Sequence, residues 1–138
     1  MSKDNGTSEF LLLFRGEHWD KGLLPEELER LMAQVMAWFD ALKEQGRVKA
    51  GQPLGPEGKM ISGKRGHERN VADGPFAESK EAIGGYLLVR ADNIDEAVAI
   101  AKSNPTLEYG ITIEVRPVLE ECPIFERARK QMLSSITV

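Results

Sequence analysis

Cysteine occurs once in the 138 residues, at Cys122. One thiol excludes an intrachain disulfide and a cysteine-built metal cluster, and the acidic neighbours Glu120 and Glu121 disfavour a thiolate nucleophile. Histidine occurs twice, at His18 and His67, too few for a histidine-rich metal centre. Missing as well are a Walker A loop, a G-x-G-x-x-G turn after a strand, an H-E-x-x-H helix and a G-x-S-x-G elbow. Neither a metal nor a cofactor is therefore expected. No apolar run approaches the roughly 18 to 20 residues that cross a bilayer, so no membrane span is expected. Residues 1–7 are polar with one basic side chain, the composition of a disordered N-terminus rather than a secretory signal. A cytoplasmic address follows as the expectation. A net charge of −4 disfavours direct nucleic-acid binding.

What remains is an ordinary globular composition, 41% hydrophobic and 29% charged, in a length typical of one domain. Residues 9–15, E-F-L-L-L-F-R, are apolar on both sides of the strand alternation and need a cover on each face. Helices can supply one cover; a second sheet from a partner subunit is an economical source of the other. The loop at 16–24 places His18 beside Trp19, either as a functional pair or as a solvated histidine next to a covering aromatic. Over 25–45, Leu28, Leu31, Met32, Val35, Met36, Phe39 and Leu42 form one helical stripe. Pro25, Glu26 and Glu27 suit its first turn and Gly46 its end.

Residues 47–63 read as two short strands joined by the turn Gly55-Pro56-Glu57-Gly58, with a further turn at Gly63-Lys64-Arg65-Gly66. Lys59, Lys64, Arg65, His67 and Arg69 make this insertion basic, as a solvated hairpin or as an anion contact. Tyr86 begins another strand. Asn93 and Glu96 have capping-box spacing for a helix through Ser103, with Ile94, Ala97, Val98 and Ala101 as its apolar face. Residues 111–116 alternate cleanly, placing Ile113 and Val115 against a core and Glu114 and Arg116 on the opposite face. The closing segment, 119–138, has helical spacing over 124–132. Strand-helix-strand-strand-helix-strand order predicts an α+β domain over 8–118 with a mixed sheet.

The most densely marked stretch is 71–86, V-A-D-G-P-F-A-E-S-K-E-A-I-G-G-Y. Asp73-Gly74-Pro75 is turn chemistry, Phe76 can anchor the turn, and Gly84-Gly85 permit close backbone approach before a strand. This run closely resembles the signature of the DGPF group within the YCII-related proteins. Leu24-Pro25-Glu26-Glu27, Gly51-Gln52-Pro53-Leu54 and Ile113-Glu114-Val115-Arg116-Pro117 extend the resemblance over residues 8–118. It implies a ferredoxin-like βαββαβ unit with a β-hairpin insertion, pairing through sheet faces into a dimeric α/β barrel. The family's biochemical role is largely unassigned. Many of its members carry a histidine on the first helix that is proposed to act with a carboxylate, whereas 25–45 here contains none.

Three functional readings stand. In the first, the homodimer holds a small polar molecule in an interface cleft, bordered by Asp73, Phe76, Glu78, Lys80, Glu81, Tyr86, Glu114 and Arg116 with Leu11, Leu13 and Leu88 as walls. Glu114 and Arg116 equally suit an ion-pair network with Arg90 or Glu81. In the second, drawn from the resemblance, the protein is a regulatory or interaction partner linked to extracytoplasmic-function sigma-factor transcription, without direct DNA contact. In the third, it is a histidine/carboxylate enzyme, with His18, Asp73 and Glu114 as candidate catalytic groups.

Overall fold

A computed structural model describes residues 8–16, 19–73 and 82–136. Strand β1 (Glu9–Arg15) leads to helix α1 (Pro25–Glu44), then β2 (Val48–Pro53), β3 (Lys59–Ser62), β4 (Asn70–Asp73) and β5 (Ile83–Arg90). Helix α2 (Ile94–Lys102) and a short 3₁₀ turn (Pro105–Tyr109) precede β6 (Thr112–Pro117) and helix α3 (Pro123–Ile136). Four strands form one sheet in the order β2-β5-β1-β6, and β3 and β4 form a separate two-stranded sheet. With the hairpin set aside, β1, α1, β2, β5, α2 and β6 make the βαββαβ order of a ferredoxin-like domain. Every neighbouring pair is antiparallel, which corrects the expectation of a mixed sheet.

Local signals account for most boundaries. Glu27 reaches back to accept the Leu24 N–H at 2.9 Å, capping α1, and Gly46 ends it with φ of 71°. Asn93 accepts the Glu96 N–H at 2.9 Å and starts α2. Gly85 is needed for close approach, since a Cβ there would lie 3.1 Å from the Gln52 carbonyl oxygen.

The helices cover one face of the sheet. Phe10 and Leu12 of β1 and Leu87 and Val89 of β5 pack with Leu42, Ala97, Ile100 and Ala101. Trp38 ties the two helices, its indole N–H donating to Ser103 Oγ at 2.8 Å. The α1 stripe is wider than the sheet beneath it: Leu31 and Leu42 are buried, but Met32 and Met36 are exposed. In α2 the core face is Ala97, Ile100 and Ala101, and the expected Ile94 and Val98 are exposed. Sheet geometry admits one narrow strip of a nine-residue helix, and the alanines let it approach closely.

The insertion also differs from the expected pairing. β2 does not fold back on β3 across Gly55–Gly58; it pairs with β5, while β3 pairs with β4 in the register Lys59↔Asp73 to Ser62↔Asn70. All eight residues of this ribbon are exposed, Met60, Ile61 and Val71 among them.

Candidate functional site

The second face of the four-stranded sheet is covered by neither α1 nor α2. Strand alternation places Glu9, Leu11, Leu13 and Arg15 of β1 on it, since Phe10 and Leu12 point into the core. On β5 the same face carries Gly84, Tyr86, Leu88 and Arg90, and on β6 Thr112, Glu114 and Arg116. Register then fixes two rows across the sheet. Ala50, Leu88, Leu11 and Arg116 lie side by side in one; Gln52, Tyr86, Leu13 and Glu114 in the other. Leu11, Leu13, Tyr86 and Leu88 are half-buried and form an apolar floor two strands wide.

One edge of that floor is charged. Glu114 Oε1 accepts from Arg15 Nε at 2.9 Å and lies 2.7 Å from Arg15 Nη2. Glu114 Oε2 is 3.7 Å from Arg116 Nη1. Two guanidiniums thus share a single carboxylate. At the far end Lys49 Nζ pairs with Glu9 at 2.7 Å, and Glu9 stands opposite Arg90. Glu114 pairs with Arg15 rather than with the expected Arg90. β1 and β6 are brought together by a pairing 99 residues apart in the chain. Only alternation, read through to the last residue of E-F-L-L-L-F-R, could have put Arg15 on this face.

The other sequence candidates divide. Tyr86, Glu114 and Arg116 share the open face with Leu11, Leu13 and Leu88. Asp73 does not join them: it ends β4 in the separate ribbon and pairs with Lys59. His18, Phe76, Glu78, Lys80 and Glu81 lie outside the described residues. Among those described, no three His, Cys, Asp or Glu side chains group as metal ligands. No helix of the described residues is long and apolar enough to cross a membrane.

A second polar node, on the helix side, went unread as a tertiary contact in the sequence. Arg47 Nη1 donates to Glu96 Oε1 at 2.8 Å and to the Arg90 carbonyl at 3.1 Å. Its Nε donates to Gln45 Oε1 at 3.0 Å, while the Asp92 N–H donates to Glu96 Oε1 at 2.8 Å. The hydrogen bond from Arg47, followed by that from Asp92, holds the Glu96 carboxyl below its ordinary value. The same contact raises Arg47. This node joins the end of α1, the start of β2, the end of β5 and the first turn of α2. A groove of about 310 Å³ beside it is lined by Trp38, Ile100 and Ser103. Its donors are already engaged by protein acceptors, so it is structural. A larger hollow of about 790 Å³ is lined, among the described residues, by side chains of residues 121–134.

An all-antiparallel βαββαβ sheet with two helices on one face and an apolar floor edged by charge on the other defines a ferredoxin-like α+β protein whose second sheet face is covered by neither α1 nor α2. The chain belongs to the YCII-related domain family, which matches residues 9–121. An uncharacterized protein of Rhizobium meliloti (strain 1021) is 35% identical over 109 residues, covering 72% of this chain and 79% of that relative. Among solved structures, 5-chloro-2-hydroxyhydroquinone dehydrochlorinase (TftG) from Burkholderia phenoliruptrix AC1100, in complex with 2,5-dihydroxybenzoquinone, aligns with a TM-score of 0.47 at 16% identity. That alignment covers 82% of this chain and 95% of the dehydrochlorinase.

Proposed function

We propose that this protein binds a small polar molecule in a cleft formed where the open sheet faces of two copies meet. The observation that carries the reading is the floor of Leu11, Leu13, Tyr86 and Leu88 ending at Arg15, Glu114 and Arg116. Half-buried leucines on a face without helices gain about 25 cal/mol for each Å² that a partner removes from water. Facing sheets pack about 10 Å apart, a gap that side chains fill except where they are small. Gly84 supplies such a place beside Tyr86: a Cβ there would meet only the Phe14 carbonyl oxygen, at 3.8 Å. The exposed β3–β4 ribbon supports the same assembly, because an isolated two-stranded ribbon is marginal in water and gains stability against another surface.

Sedimentation equilibrium tests the reading together with a thermal-shift screen of small acids, amines and alcohols. The expected mass is twice that of one chain. Leu13→Arg should halve it while leaving the circular dichroism spectrum native, and should abolish the shifts given by screen hits. A wild-type protein that stays monomeric at high concentration, or hits indifferent to Leu13→Arg, would sink the proposal.

A further inference from the structure

We infer that the molecule bound on this face is a compact organic anion, a carboxylate on a ring-sized apolar body; this rests on the cleft reading above. The contacts of the two guanidiniums come first. Arg15 occupies Glu114 Oε1 with two donors, at 2.9 and 2.7 Å. Arg116 reaches Oε2 only at 3.7 Å, beyond hydrogen-bond length. Glu114 is thus held closely by Arg15 and only loosely by Arg116, whose side chain is 67% exposed. A guanidinium offers a planar fork of N–H donors that matches a carboxylate with two parallel bonds.

Position narrows the class. Arg116 adjoins Leu11 across β1, with Leu88 beyond, and Tyr86 and Gln52 lie in the next row. From β6 to β5 is two strand spacings, roughly 10 Å. An acid held by Arg116 therefore lays its body over leucine and brings its far end toward the Tyr86 hydroxyl. One exposed guanidinium fork suits a single carboxylate rather than a polyanion, and it repels a cation. A neutral ligand leaves Arg116 facing a second sheet with only the loosely placed Glu114, 3.7 Å away, as counter-charge, which is costly once water is excluded.

Calorimetric titration of the full-length protein with benzoate and 4-hydroxybenzoate, against benzamide and 4-hydroxybenzamide, tests the class. The acids should bind at least about tenfold more tightly than their amides, the scale of one charge-assisted hydrogen bond. Arg116→Gln should erase that preference, and Arg116→Lys should restore part of it. Amides that bind as well as the acids overturn the anion and leave the cleft standing. So does failure of all four probes while Leu13-dependent hits persist among amines or alcohols. If Arg116→Gln splits the unliganded dimer, Arg116 is an interface ion pair and the inference fails. If nothing in either experiment binds, the cleft reading falls with it.

Discussion

Glu96 offers a measurable test of how the two halves of the domain are joined. Replacing it with alanine removes the acceptor for Arg47 Nη1 and for the Asp92 N–H, both at 2.8 Å. Hydrogen bonds to charged groups contribute about 1.5–3 kcal/mol when well shielded. Here the Arg47 and Glu96 side chains are 29% and 32% exposed, so solvent screening reduces the pair to a total near 2 kcal/mol. For a domain of this length that corresponds to a fall in Tm of about 5–10 °C. Glu96→Gln keeps an acceptor oxygen and loses the charge, and should cost about half as much. Its pH dependence has a definite sign. A carboxyl held below its unfolded value, about 4.3 for glutamate, adds stability that is complete above that value. The contribution disappears as pH falls through the lower folded value. Urea unfolding at fixed protein concentration, at pH 7 and at successively lower pH, should therefore show the deficit of Glu96→Gln against wild type largest at pH 7 and shrinking as the solution is acidified. Equal stability at pH 7, or a wild-type advantage that does not shrink as pH falls, would refute the assignment of this node.

Gly51→Ala should destabilise by about 1–3 kcal/mol, because the new Cβ would lie 2.7 Å from Leu87 Cδ1 and 3.0 Å from the Tyr86 carbonyl oxygen. Leucine can rotate but the backbone cannot, so amide exchange should quicken first along β2; unchanged exchange there would contradict the β2–β5 pairing. Removing residues 123–138 should leave Tm within about 2 °C, since Ile124, Phe125, Met132 and Leu133 of α3 are all exposed and none belongs to the described core. A larger fall would show that α3 is seated on another surface in solution.

Much of the domain was legible because its signals are local. Alternation in residues 111–116, the acidic first turn at Glu26 and Glu27, the cap at Asn93 and the stop at Gly46 act within a few residues of chain, and each appears where expected. The hairpin misreading has the opposite cause. Gly55-Pro56-Glu57-Gly58 is good turn chemistry, but turn residues state that a chain can reverse, not which strand it will meet. β2 meets β5, more than thirty residues on, because that pairing continues a sheet whose other side is already packed. The helix faces differ from their apolar spacing for a related reason. Apolar spacing marks Met32, Met36, Ile94 and Val98 as suitable for burial, yet the sheet has room for Leu31, Leu42, Ala97, Ile100 and Ala101.

The candidate site shows the same division. By itself the sequence determined that Leu11 and Leu13 need a cover other than the helices, and that Glu114 and Arg116 point away from the core; period-two geometry allows nothing else once Phe10, Leu12, Ile113 and Val115 are inside. Tertiary structure decided that β1 lies between β5 and β6. That placement sets Leu11 and Leu13 beside Arg116 and Glu114, and hands the Glu114 carboxylate to Arg15. It also removed Asp73 to a separate ribbon with Lys59. The physical reason is that periodicity assigns each side chain to a face from its own strand alone, whereas neighbours across a sheet are chosen by long-range pairing, which no short stretch of sequence encodes.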